Sequence, residues 1–309
     1  MLEHLLHETI KKYMDPSADI LSIESKPIHI GLQAVALHRH SIHLKNRESM
    51  PISLVTKYAT RLERRVLNRL YLQQANVPFM LTNGSEEEER ALVCIQDVDY
   101  TSDYSNLNIE ALQQKEIKAL SHIHTSNFGH ENDLTWLPRV DRDHIEAMIN
   151  IRWKPQWQAA IKNEQFLDIF GDYIPSVEAA AATIFQDIVD VMIDENSYTL
   201  IHNDLNPGNV LVHNNSDVFF IDWEDARYGS LFFDIPLRCS TPEQIESYRV
   251  LLAARGLEFS DHRFYHLYTT AARYLGLRYM SWNLGTWASD SKAKEDLRKY
   301  LNMVVGNVY

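Results

Sequence analysis

Apolar residues at helical spacing open the chain, with Leu2, Leu5, Leu6 and Ile10 on one predicted helix face. From about residue 20 to residue 98 the pattern shortens. Apolar runs at 20–23, 34–37, 52–58 and 91–95 are separated by polar turns, as in an antiparallel sheet. One predicted helix, 61–74, interrupts them, its apolar face marked by Leu62, Val66, Leu67 and Leu70. Asn83-Gly84-Ser85 reads as a turn, and the run Glu86 to Glu89 after it as a solvated hairpin tip. Beyond Tyr100 helical periodicity dominates, at 109–125, 177–194, 243–254, 264–279 and over the last twenty residues. Two short strands break it, 210–212 and 218–221, joined by Asn214-Asn215-Ser216-Asp217. No internal repeat or low-complexity linker is visible. The pattern predicts an α+β chain in two domains. Residues 1–98 form a small antiparallel sheet with its helix, and residues 99–309 a larger, mainly helical part. A hinge near residues 97–103 is expected, with a cleft beside it.

Composition narrows the class without naming it. The chain has 309 residues, 45% hydrophobic and 23% charged, an ordinary globular balance. No run approaches the roughly 20 apolar residues of a membrane-spanning helix, and the first residues lack the basic and apolar regions of a signal peptide. Cys94 and Cys239 are too few to build a zinc cage, so a reduced, cytoplasmic protein is expected. Net charge is −12, and most of the acid excess lies late in the chain. Residues 1–99 carry 12 Lys/Arg and 13 Asp/Glu, against 18 and 29 in the remainder. Such a surface disfavours nucleic acid, whose binding depends on neutralising phosphates, and suits cationic small molecules.

The chemistry concentrates between Leu200 and Ile235. An apolar pair leads into His202-Asn203-Asp204-Leu205-Asn206-Pro207-Gly208-Asn209, and the next hairpin ends at Ile221-Asp222-Trp223. A loop therefore offers His, Asp and Asn, and a second Asp follows 13 residues after Asn209. Phosphoryl transfer needs such a set, because its transition state spreads negative charge over phosphoryl oxygens. Mg²⁺ takes oxygen ligands, commonly one or two carboxylates besides phosphate and water. Asp222 and the amide oxygen of Asn209 supply candidates for that metal, and Asp204 is free to accept the proton of an attacking hydroxyl. The sequence offers an alternative in which Asp and Asn merely cap turns.

These residues resemble the aminoglycoside phosphotransferase and choline kinase family, whose fold is related to that of protein kinases. The resemblance rests on His202 to Asn209, on Ile221-Asp222-Trp223, on Tyr228-Gly229 and on Asp234-Ile235. Lys57 in Leu54-Val55-Thr56-Lys57-Tyr58, Glu63 in the following helix and Leu120-Ser121-His122-Ile123-His124 extend it toward the N-terminus. It implies a bilobal fold, with a sheet-rich N-lobe and a helical C-lobe, and an ATP- and Mg²⁺-dependent phosphotransferase, with GTP as the alternative nucleotide. It also implies roles. Asp204 would be the catalytic base, with His202 orienting its loop, and Asn209 and Asp222 the metal ligands. Lys57 would contact the α- and β-phosphates while paired with Glu63, and Asp234 would brace the loop as structural support. The residues after Asp97 would hold the adenine.

Two departures bear on the substrate. The family covers the phosphates with a glycine-containing loop, yet only Gly31 lies in the corresponding stretch 28–35. Glycine lets backbone approach a phosphate closely. A catalytically idle nucleotide- or partner-binding protein of the same fold is therefore the alternative reading. Secondly, only 11 residues separate Asp222 from Asp234, with no Ala-Pro-Glu after them, and Asn206 stands where protein kinases usually have Lys. A peptide-docking segment does not fit there, so the expected acceptor is a small molecule. Trp136, Trp153, Trp157, Tyr274, Tyr279, Trp282 and Trp287 either pack a core or present faces to an ammonium group. Glu224 and Asp225 read equally as turn residues or as lining of an acidic acceptor site. His38, His40 and His43 read as a solvated strand face, with a metal pair as the lesser alternative, and His122 and His124 as capping or core residues.

Overall fold

Alternation decides which way the sheet faces. In the strand His38–Leu44, the residues His40, Ile42 and Leu44 point inward while their neighbours are half-buried. The structure is a computed structural model and describes residues 2–28, 37–45 and 51–306. Within it, five strands form one antiparallel sheet in the order β1-β2-β3-β5-β4. These are β1 (Ile20–Pro27), β2 (His38–Leu44), β3 (Ile52–Thr60), β4 (Met80–Thr82) and β5 (Arg90–Gln96). The second run expected at 34–37 lies largely outside the described residues, and the strand found beside it is β2. The three-residue β4 carries too little periodicity to be read from sequence. It exists because Phe79 accepts from the Gln96 amide and Met80 pairs with Ile95.

The helix Leu2–Tyr13 covers this sheet. Leu5, Leu6 and Ile10 pack with Ile42, Leu44, Leu54, Phe79 and Cys94, and the Tyr13 hydroxyl donates to Met80 O at 2.8 Å. The helix Arg61–Leu72 follows β3 without a loop. Thr60 Oγ1 caps it by accepting from the Glu63 amide, and Val66, Leu67 and Leu70 are buried. A hairpin of β7 (Val210–His213) and β8 (Asp217–Phe220) belongs to the same compact unit, which comprises Met1–Ile123 and Asn206–Ala226. Hydrogen bonds account for that grouping. Asn76 O accepts from the Phe220 amide, Asn76 Nδ2 donates to Val218 O, and His213 Nδ1 lies 2.8 Å from Val98 O. Compactness thus groups this hairpin, and the helix that begins at Ile109 as far as Ile123, with the sheet. Asn214 and Asn215 turn the hairpin with φ of 50° and 57°, a left-handed conformation that Asn tolerates.

The second compact unit, His124–Leu205 with Arg227–Tyr309, is mainly helical. Its two-stranded ribbon pairs β6 (Tyr198–Ile201) with β9 (Arg227–Ser230). The 23-residue helix Asp261–Asn283 is the axis of this unit, buried through most of its length from Phe264 to Met280. Helix Ser291–Val305 packs on it at Gly276, where a Cβ would fall 2.7 Å from Val304 Cγ2 and 2.8 Å from Tyr300 O. A second cluster is aromatic: Trp157, Phe170 and Trp287 each present ring faces or edges to Phe166 or to one another. Among the described residues no helix is long and apolar enough to cross a membrane. Cys94 and Cys239 are buried free thiols.

Gly276 supplies a measurable consequence. Gly276→Ala inserts a methyl group where backbone and Val304 already stand, so overpacking should outweigh the gain in helix propensity. A loss of about 1–3 kcal/mol in urea unfolding is expected.

Candidate active site

The first unit gathers Lys57, Glu63, Asn209 and Asp222. Lys57 lies on β3 opposite Val93 of β5, and Glu63 is in the first turn of the next helix. Glu63 is 2% exposed, and its Oε1 lies 2.7 Å from Lys57 Nζ. Asp222 Oδ1 lies 3.2 Å from the same nitrogen, its side chain 42% exposed. Burial works against the Lys57 charge, but the carboxylates of Glu63 and Asp222 outweigh it and raise its pKa above the ordinary value. Burial pushes the Glu63 carboxyl up, and Lys57 offsets part of that. A carboxylate so deep is tolerated only because an ammonium group faces it.

Asn209 and Asp222 come together through strand pairing. The Ile221 amide donates to Asn209 O at 3.0 Å, one step beyond the Val210–Phe220 pair, so both residues stand at the open end of the β7–β8 hairpin. Asn206 Oδ1 accepts from the Gly208 amide at 2.8 Å and rounds off the turn before Asn209. Asp222 has φ of 65°, an unusual backbone for a non-glycine residue, and leads into the single 3₁₀ turn Trp223–Asp225. Glu224 and Asp225 belong to that turn.

The second unit holds His202, Asp204 and Asp234. Asp234 is fully buried, yet its two oxygens are well supplied. Oδ2 accepts from the His202 amide at 2.7 Å and Oδ1 from the Asn203 amide at 2.8 Å. His124 Nε2 stands 3.1 Å from Oδ2, and its Nδ1 2.5 Å from the Tyr248 hydroxyl. The loop after β6 is thereby pinned at two consecutive amides, with Asn203 in the left-handed region at φ 65°. His202 is buried, and its Nδ1 accepts from the Asp204 amide at 3.3 Å. Asp204 Oδ1 accepts from the Tyr279 hydroxyl at 2.8 Å, and Asn203 Oδ1 from Arg278 Nη1 at 3.0 Å. Burial, and after it the negative charge of Asp204, hold the Tyr279 phenol well above its ordinary pKa, with Arg278 opposing.

Other expectations fall differently. The Asp97 carboxylate is engaged by Arg39, whose Nε lies 2.6 Å from Oδ2, and by the Ser53 hydroxyl. Its side chain ties the end of β5 to the adjacent strand β3 and, across it, to β2. Gly31 lies outside the described residues. His40 is buried between the hydroxyls of Ser25 and Thr56, each 2.8 Å from a ring nitrogen, and not on a solvated face. Trp153, Trp157, Tyr274 and Trp287 are buried core, whereas Trp282 is exposed. His124, Tyr248, Arg278 and Tyr279 were not read as site residues. His124 was read as part of the family-like helix end and as a capping or core residue, and Tyr279 as a core or ammonium-facing ring. Neither reading marks its partner, which is 110 or 75 residues away.

Residues 53–297 match the model of the phosphotransferase enzyme family, which spans every residue above except Arg39 and Gly31, His40 and Ser25. The chain belongs to that family. Its solved neighbours carry the same fold. A spectinomycin phosphotransferase in complex with ADP and spectinomycin is 14% identical, with a TM-score of 0.60 over 99% of this chain and 96% of that one. The choline kinase of Streptococcus pneumoniae is 14% identical, with a TM-score of 0.54 over 98% of each chain. A microcompartment-associated aminopropanol kinase is 15% identical, with a TM-score of 0.57 over 98% of this chain and 94% of that one. No curated protein matches this phosphotransferase family member. The α+β, protein-kinase-like class expected from the sequence is therefore the fold of this chain.

Asp234→Ala strips two buried amides and His124 of their acceptor. Leaving such donors unsatisfied should cost about 3 kcal/mol or more in thermal or urea unfolding. Asp234→Asn, which keeps one acceptor oxygen, should cost less.

Proposed function

We propose that this phosphotransferase moves the γ-phosphate of ATP, with GTP as the alternative donor, to a hydroxyl group of a small molecule. The observation that carries the reading is the Lys57 ammonium, held at 2.7 Å from Glu63 and 3.2 Å from Asp222 in a chain of this family. A buried Lys–Glu pair presents a fixed positive charge suited to nucleotide phosphates, and Asp222 beside it suits their counter-cation. The ADP bound by the spectinomycin phosphotransferase and the AMP bound in a second structure of it support a nucleotide donor.

The donor set fits Mg²⁺. Asp222 offers a half-exposed carboxylate and Asn209 an amide oxygen, both hard oxygen donors. Among the described residues no group of three or more His, Cys, Asp or Glu side chains could hold a metal by itself. An ion held by one carboxylate, one amide and the nucleotide's own phosphates is the ordinary Mg²⁺ arrangement. Bound there, it would neutralise charge developing on the phosphoryl oxygens.

The chain's own residues do the remainder. Lys57 would engage the α- and β-phosphates, with Glu63 fixing its position. The backbone after Asp97 would hold the adenine. Asp204 would accept the proton of the attacking hydroxyl, while Asp234 and His202 hold its loop in shape. A cationic acceptor is supported by the excess of acid beyond residue 99, and not by the aromatic rings, most of which are spent on the core.

Two substitutions test the reading. General-base catalysis is worth about 10²–10⁴-fold, so Asp204→Ala should lose at least that much turnover when ADP release is followed across a panel of alcohol acceptors. Wild-type turnover in that variant rejects the base. Asp222→Ala should weaken Mg-ATP binding by calorimetry, and an unchanged affinity rejects the metal role. No ADP release by the wild type with any acceptor would favour the idle, nucleotide-binding alternative.

A further inference from the structure

The helix Asp261–Asn283 sends two successive side chains to two successive residues of the loop after β6. Arg278 donates to Asn203 Oδ1 and Tyr279 to Asp204 Oδ1, at 3.0 and 2.8 Å. Successive helix positions lie about 100° apart, so neighbouring side chains rarely serve one short segment. Asn203, the first of the two loop residues, has a left-handed backbone at φ 65°. Tyr279 is itself held. Its ring lies 5.9 Å from that of Tyr300, on the helix Ser291–Val305 that packs at Gly276. A phenol on a helix so packed has little freedom to follow a wandering carboxylate, and serves as a fixed donor.

We propose that Tyr279 is a positioning residue for the base: by donating to Oδ1 of Asp204 it sets the rotation of that carboxylate. The assignment rests on the phosphotransfer reading above. The proton balance follows directly. The acceptor O–H bond breaks as its oxygen bonds to the γ-phosphorus, and the bond from that phosphorus to the bridging oxygen breaks as ADP leaves. The proton passes to the Asp204 carboxylate, and the Tyr279 proton stays on its own oxygen. The burial that keeps this phenol protonated suits it to that role. The geometry admits one rival. A hydroxyl donating to the base is also the contact an acceptor alcohol makes, so Tyr279 could instead be a place-holder that the acceptor displaces.

The two roles give opposite results in Tyr279→Phe, which keeps the ring against Tyr300. ADP release from Mg-ATP is measured with 1-amino-2-propanol, choline, spectinomycin and water as separate acceptors, and the fastest serves as the assay. If Tyr279 positions the base, kcat falls by about ten- to a hundredfold, the loss expected of a misplaced reacting group. The acceptor KM and the midpoint of thermal unfolding stay close to wild type. In an Asp204→Asn background, where no base remains to be positioned, adding Tyr279→Phe changes the residual rate by less than about twofold. An unchanged or raised kcat, a markedly lowered KM, or losses that multiply in the double variant would overturn the assignment. Those outcomes leave the phosphotransfer reading standing if Asp204→Ala alone abolishes turnover. Full turnover in Asp204→Ala, or no ADP release by the wild type with any acceptor, overturns both.

Discussion

A carboxylate taken out of water must be given something in return, and each unit's candidate residues are organised around that requirement. In the first unit Glu63 is buried and Lys57 answers it. In the second Asp234 is buried, and two consecutive backbone amides and a histidine answer it. Removing either carboxylate's partners leaves an uncompensated group, the costliest kind of defect in a protein interior. The same requirement fixes position. A side chain whose charge survives only beside one partner has little choice of rotamer, so Lys57 and the loop at His202 and Asn203 are held in place.

Backbone strain accompanies this order. Asn203 and Asp222 both occupy the left-handed region at φ 65°, each one step from a residue with a proposed role in catalysis or itself such a residue. A conformation of that kind persists only where its surroundings over-determine it. Asn203 has three such constraints: its amide on Asp234, its amide oxygen on Arg278, and the covalent lead from β6. Asp222 sits directly past the end of β8, where the ladder to β7 has just closed. Hydrogen bonds on either side hold the strained residue, and the strained residue aims the side chain.

The family assigns the reaction type, and this chain's own side chains bear on the acceptor. The aromatic residues of the helical unit are largely committed to one another, as the rings of Trp157, Phe166, Phe170 and Trp287 show. The chain beyond residue 99 carries an acidic excess, which supports the proposed cationic acceptor. The long helix Asp261–Asn283 links that unit's packing to its chemistry, since the close approach at Gly276 and the hydrogen bond from Tyr279 lie within one turn.

What was legible in the sequence was local. The apolar spacing of Leu5, Leu6 and Ile10, the short runs that became β3 and β5, and the hairpin at Asn214-Asn215 follow from side-chain periodicity and turn chemistry. These act between near neighbours. Asp234 was marked only by the family resemblance. The string from His202 to Asn209 and the later Asp222 were also readable as candidates, because phosphoryl transfer would demand such residue types along one short stretch. Burial of His40, the engagement of Asp97 by Arg39, the bond from His124 to Asp234 and that from Tyr279 to Asp204 were not. Each joins residues from 16 to 110 positions apart, and no periodicity marks a partner at such a distance. Only the packed chain, in which most buried polar atoms find a complement, decides those pairs.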